Sequence, residues 1–169
     1  MQVLGDPIIV GYYASWKQQQ TQGVDFSKYT HVNLAFGIPN KDGTFTFDET
    51  FNVPDAVTML QGKNAKVLVS IGGWTGSSLI SDILKDEAAS QKFMTSIVDY
   101  IKANKLDGVD LDWEYPGRKG PECNSMDEAN DTPNYLKFLQ ALRAQFNTEF
   151  GEGKKLITMA VYVQPFFVN

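Results

Sequence analysis

Hydrophobic residues are not spread evenly along the chain but gather in five short, β-branched runs at residues 8–13, 31–36, 67–71, 108–113 and 156–161. Runs of this length predict buried strands. Between them the apolar positions change to a helical period. Tyr135, Leu139, Leu142 and Phe146 fall on one face at i, i+4, i+7 and i+11. Thr132 with Pro133 supplies a cap and first turn for this helix, and Gly151 a stop. Phe93, Ile97, Tyr100 and Ile101 form a second such face ending near Asn104, residues 54–62 predict a shorter helix, and residues 17–29 are undecided. Parallel neighbours need crossover connections, so strands alternating with helices predict an α/β fold with a parallel sheet and helices outside it.

The fourth run differs from the rest. In Val109-Asp110-Leu111-Asp112-Trp113-Glu114 acids alternate with large apolar residues, and strand geometry sends alternate side chains to opposite faces. Leu111 and Trp113 are thus expected to face the helices, with Asp110, Asp112 and Glu114 aligned on the other side at steps of roughly 6.5 to 7 Å. Repulsion and partial burial disfavour full ionisation of such a row, so one proton is expected to stay in it. Glu114, at the open strand end, is best placed to deliver that proton to a substrate. Two other readings of the spacing are an edge strand with a solvated acidic face and a divalent-metal site. The first fits poorly beside strands that look fully buried, and the second has no histidine near the strand. The polar loop at 116–132 follows this strand directly, where barrel folds place functional insertions.

Composition narrows the function classes. The 169 residues suffice for one substantial core. Fifteen basic against twenty acidic residues leave a net charge of -5, with no basic run to track a phosphate backbone, so nucleic acid is not an expected partner. The lone Cys123 cannot form an intrachain disulfide. No apolar run approaches the length of a membrane span, and residues 1–6 lack the features of a signal peptide. The chain is therefore expected to be cytosolic or to have lost its signal peptide.

Asp107, Gly108, Asp110, Asp112, Trp113 and Glu114 resemble the DGxDxDWE signature of glycoside hydrolase family 18, the chitinase family. Tyr115-Pro116-Gly117 continues the likeness, Ser70-Ile71-Gly72-Gly73-Trp74 is similar to the family's motif on strand three, and residues 11–16 and 31–36 resemble its first two strands. The resemblance implies a (β/α)8 TIM barrel of which this single domain, residues 1–169, holds the part up to strand five. A complete barrel of that kind usually needs about 250 residues. The family's sixth-strand Met-x-Tyr-Asp segment and eighth-strand Trp have no counterpart here, and Tyr162 and Gln164 are not assigned their roles.

The chemistry implied is retaining hydrolysis without an enzymic nucleophile. Glu114 would protonate the glycosidic oxygen while the substrate's own 2-acetamido carbonyl attacks the anomeric carbon. Asp112 would orient the acetamido group, and Asp110 behind it would share a proton with Asp112. Neither cofactor nor metal is implied. The implied substrate is chitin or another β-linked N-acetylglucosamine chain, and the implied location is extracellular. Tyr12, Phe36, Trp74 and Tyr115 match positions lining the sugar site, and Trp16 one that stacks on a more distant sugar. Gly72 and Gly73 either end a strand or let backbone approach a ligand, Gly73 being taken as the binding candidate. Tyr13 is expected in the core, His31 to be structural, and Cys123 to be incidental. Open edges on strands one and five would favour association with a second copy or a complementing chain. A non-catalytic sugar-binding partial barrel and a structural half barrel with a vestigial site are the competing readings.

Overall fold

The computed structural model describes residues 7–21, 23–121 and 123–161. In chain order it holds β1 (Val10–Ala14), α1 (Gln18–Thr21), β2 (His31–Pro39), β3 (Phe45–Thr46), α2 (Val53–Gln61), β4 (Lys66–Gly72), α3 (Ile80–Lys85), α4 (Glu87–Asn104), β5 (Gly108–Asp112), α5 (Asp131–Phe150) and β6 (Leu156–Met159). The strands β1, β2, β4, β5 and β6 lie side by side in that order, every pairing parallel. Sequential parallel strands with helices crossing back over one face are the arrangement of a (β/α)8 barrel, and five consecutive strands of one are present here. The short β3 pairs antiparallel with the end of β2, at Ile38 and Pro39. None of the described helices is long and apolar enough to cross a membrane.

The pleat divides the sheet into two environments. Val32, Leu34, Val67, Val69, Ile71, Val109 and Leu111 point outward into one core with Leu60 of α2, Phe93, Ile97 and Ile101 of α4, and Phe138, Leu142 and Phe146 of α5. The alternate positions Asn33, Ser70, Asp110 and Asp112 are buried but polar. The prediction that every non-acidic strand is fully buried holds for β4 and most of β2 but fails for β1 and β6. Val10 is 50% and Met159 38% exposed, because each of these strands has a sheet neighbour on one side only among the described residues.

Helix boundaries follow local chemistry. Asp86 caps α4, its Oδ1 accepting from the Ala89 amide at 2.8 Å, and the helix ends at Asn104 as the periodicity predicts. The expected start of α5 at Thr132-Pro133 is corrected to Asp131. That residue is buried, and its carboxylate accepts from Ser81 Oγ at 2.6 Å, from the Gly117 amide at 2.9 Å and from the Asp127 amide at 3.0 Å. A satisfied acid in the first turn suits the positive helix end, and it ties the loop after β5 to both α3 and α5. Gly151 stops the helix with φ +95°, a region open to glycine. Among the described residues, the undecided stretch 17–29 holds the end of a short turn at Ser15–Lys17, then α1 and a second short turn at Phe26–Lys28.

Candidate active site

Register decides which groups meet the acidic strand. Asp110 lies opposite Ser70 on β4 and Thr158 on β6, so all three project to the inner side of the sheet. Ser70 Oγ donates to Asp110 Oδ2 at 2.7 Å and Thr158 Oγ1 to Asp110 Oδ1 at 2.7 Å. From β1, three strands away, Tyr12 Oη reaches Asp110 Oδ2 at 3.0 Å. A flat sheet could not make that last contact; the inward curl of the strands brings it about. Burial and the neighbouring Asp110 charge push the Tyr12 phenol above its ordinary range. Three hydroxyl donors therefore hold Asp110 at the base of the row.

Asp112, one pleat further on, is in a different position. It is 6% exposed, and its Oδ1 is buried without a hydrogen-bond partner among the described residues. Burial first, then the Glu114 and Asp110 charges, raise its carboxyl from the ordinary 3.8 to about 6. The surroundings of Asp112 thus favour its neutral form more than those of a free carboxyl do.

Glu114 stands past the end of β5, which stops at Asp112 rather than at Trp113. It is partly exposed, on the carboxyl-end side of the strands where barrel enzymes carry their chemistry. Trp113 between the two acids faces the helices as expected, 2% exposed, with its ring edge-on to Tyr135 of α5 at 5.2 Å. Among the described residues no cluster of three or more His, Cys, Asp or Glu side chains is arranged to hold a metal ion.

A raised folded-state carboxyl destabilises the fold as it ionises. The contribution of Asp112 is fully present below pH 3.8 and is lost as the pH climbs through about 6. Asp112→Asn is therefore expected to flatten the fall in stability over that window. The difference in Tm between variant and wild type should grow in the variant's favour from pH 4 to pH 7, and parallel curves would refute the assignment.

Beside the acids the sheet end opens into a cleft of about 630 Å³ whose lining includes Trp16, Phe36, Phe47, Asp48, Gly73 and Trp74. The β2 register shifts between Ala35 and Gly37, lifting Phe36 out of the ladder. Its ring stacks on Trp16 at 5.9 Å and lies 6.1 Å from Tyr12. Trp16 and Trp74 are 59% and 55% exposed, and Tyr12 49%. Together they leave a wide aromatic face open on one side of the cleft. Tyr115, expected among the lining rings, is corrected to a supporting position. It is 1% exposed, packs edge-on against Trp74 at 5.6 Å, and its Oη donates to the Trp74 carbonyl at 3.0 Å.

The glycines at the end of β4 are dictated by geometry. Gly72 has φ +111°, and a Cβ there would lie 2.5 Å from the Asp112 carbonyl; Gly73 has φ +84°, with the Phe36 ring 3.0 Å from the same virtual atom. The Gly73 amide donates to the Asp112 carbonyl at 2.9 Å, and Ser77 Oγ lies 2.6 Å from that carbonyl and from the Gly73 carbonyl. The turn carrying Trp74 is in this way bound to the strand carrying the acids. Ser77, Thr158 and the cleft residues Phe47 and Asp48 were not among the residues singled out in the sequence. Only strand register and the path of β3 reveal them.

Tyr13 is a core residue, stacked on Phe26 at 5.6 Å. His31 sits at the opposite, amino end of β2 beside Thr30 Oγ1 at 2.9 Å, burial lowering its pKa. Cys123 is exposed. Tyr162 and Gln164 lie outside the described residues.

Residues 8–167 match the family model of glycosyl hydrolases family 18. A chitinase-like effector of Moniliophthora perniciosa is 37% identical over 142 residues, covering 80% of this chain and 32% of the effector. A secreted chitinase of Penicillium expansum is 31% identical over 145 residues, covering 79% of this chain and 10% of that protein. The crystal structure of a chitinase from Rhizomucor miehei superposes with a TM-score of 0.81 at 36% identity, covering 92% of this chain and 47% of that one. The chain thus spans a third or less of these two curated relatives and just under half of the crystallised enzyme. With the profile matched along nearly its whole length and the parallel sheet shared with a solved chitinase, the chain belongs to glycosyl hydrolase family 18.

Proposed function

We propose that this chain carries the acid side of a substrate-assisted hydrolase acting on β-linked N-acetylglucosamine chains outside the cell. One arrangement supports the reading: a buried carboxyl, Asp112, and a partly exposed one, Glu114, stand at one strand end, and Gly72, the sheet neighbour of Asp112, lines an aromatic cleft. Two neighbouring acids in unlike environments divide the labour of such a reaction. Glu114 would protonate the leaving oxygen and later deprotonate water. Asp112 would hold the acetamido group by a hydrogen bond as its carbonyl oxygen closes on the anomeric carbon. Asp110, held by Tyr12, Ser70 and Thr158, would stand behind it as a fixed support. Trp16, Phe36 and Trp74 would stack on sugar faces. The extracellular setting is supported by a related protein that is named a secreted chitinase.

The test is the acetamido group itself. Release of product from a fluorogenic N-acetylglucosamine oligomer is expected, with none from the same oligomer deacetylated. Equal handling of both would remove the substrate-assisted step.

A second reading, a non-catalytic binder of the same oligomers, is favoured by the exposed rings of Trp16 and Trp74 and by the relative named a chitinase-like effector. Saturable binding with no product release from either oligomer would select it.

A further inference from the structure

Asp131 opens α5, where an acid ordinarily caps the amides of its own first turn. Here its donors lie outside the helix: Ser81 of α3, and the Gly117 and Asp127 amides of the loop between β5 and α5. Asp131 is 1% and Ser81 2% exposed. A buried carboxylate with both oxygens engaged is a rigid fixture, because moving it strands groups that water cannot reach. What it fixes is the turn that carries Glu114. Gly117 stands shortly after Glu114 and has φ +70°. Between them the turn closes on itself: the Arg118 amide donates to the Tyr115 carbonyl at 3.2 Å, and the Arg118 guanidinium to the Glu114 carbonyl. Tyr115 Oη ties the same turn to the Trp74 carbonyl at 3.0 Å. Since β5 ends at Asp112, the turn rather than the ladder sets the height of Glu114. It is pinned on one side through Tyr115 and on the other by Asp131.

We infer that Asp131 is a positioning residue for the acid: through the Gly117 amide it holds the turn where Glu114 can reach a glycosidic oxygen, and Ser81 in turn orients Asp131. The inference rests on Glu114 being the proton donor of the proposed hydrolase. It makes kcat depend on a side chain that touches no substrate. A general acid must lie within hydrogen-bond reach of the oxygen it protonates, and a displacement of about 1 Å can cost roughly 10²-fold. Oligomer binding, carried by Trp16, Phe36 and Trp74, is spared.

Asp131→Ser tests this. Serine keeps a capping hydroxyl at the start of α5 but is too short to reach the Gly117 amide. With an N-acetylglucosamine oligomer, whose sugar leaving group must be protonated, kcat is expected to fall about 10- to 100-fold and KM to stay within about twofold. With the dinitrophenyl glycoside of the N-acetylglucosamine dimer, whose leaving group departs as a stable anion, the loss is expected to stay within about threefold. Asp131→Asn is the rescue. Its carbonyl oxygen can still accept from the Gly117 and Asp127 amides while its NH2 donates to Ser81 Oγ, so kcat on the oligomer should return to within about threefold of wild type. Amide hydrogen exchange gives a second readout: in Asp131→Ser the Gly117 amide should exchange about tenfold faster or more, with the α5 amides from Tyr135 onward unchanged. Equal losses on both substrates, faster exchange throughout α5, or a wild-type rate on the oligomer each overturn the inference. Should the serine variant not fold, Ser81→Ala, which frees only one Asp131 oxygen, carries the same test, with an expected loss of about three- to tenfold on the oligomer alone. Glu114→Gln is run in parallel. If it shows the loss that depends on the leaving group and Asp131→Ser does not, only the positioning role fails; if Glu114→Gln loses nothing on the oligomer, or wild type releases no product from it, the acid reading fails and the positioning role with it.

Discussion

Replacing Glu114 by glutamine is expected to lower turnover of a fluorogenic N-acetylglucosamine oligomer by about 10²- to 10⁴-fold, the usual contribution of a positioned general acid. The amide keeps the shape of the side chain and its place beyond β5 but cannot give up a proton at neutral pH. Stability should hardly change, since Glu114 is partly exposed and lies outside the strand ladder. A second readout separates loss of chemistry from loss of fold. The Glu114 charge is the second cause, after burial, of the raised Asp112 carboxyl, so removing it should draw that titration down from about 6 toward the ordinary carboxylate range without restoring it fully. Carbonyl NMR of Asp112 reads this directly. Unchanged turnover would dismiss Glu114 as the acid, and an unmoved Asp112 titration would dismiss the coupling between the two carboxyls.

Phe93→Ala is expected to cost about 3 to 5 kcal/mol of folding stability. The ring is 1% exposed and stacks on Phe138 at 5.4 Å, joining α4 to α5 behind the sheet. Truncation would remove the stacked pair and leave a cavity between helices that the sheet cannot follow. Against the 5 to 15 kcal/mol typical of a domain, that is a large fraction. A urea midpoint shifted by less than the equivalent of about 1 kcal/mol would mean that the helices repack freely and that the core is looser than its burial implies. Because α5 also backs Trp113 through Tyr135, the same change is expected to reduce turnover even where the fold survives.

Much of this was legible along the chain. The periodicity of Phe93, Ile97 and Ile101 specified a buried helix face and its end at Asn104, and alternation in 109–114 specified which side chains face the helices. These are one-dimensional properties: strand and helix periods assign faces before any partner is known. The acids could be named from that alternation, and the aromatic residues at 12, 16, 36 and 74 from the family motifs in which they stand.

The remainder depended on pairing. Thr158 is an unremarkable residue in a short run until parallel register sets it across from Asp110. Tyr12 and Asp110 are 98 positions apart and meet only because the sheet curls. Tyr115 belongs to the same motif as Glu114, yet tertiary packing turns it beneath Trp74 rather than into the cleft. Asp131 looked like an ordinary residue before a helix and is instead a buried anchor for three donors. The order of amino acids by itself determined the fold class, the helix-facing core and the identity of the acids, because these follow from local period and composition. Which hydroxyls hold each acid, which rings stay exposed and which are buried beneath them were decided only by the tertiary structure, since burial, register and curvature act between residues far apart in the chain.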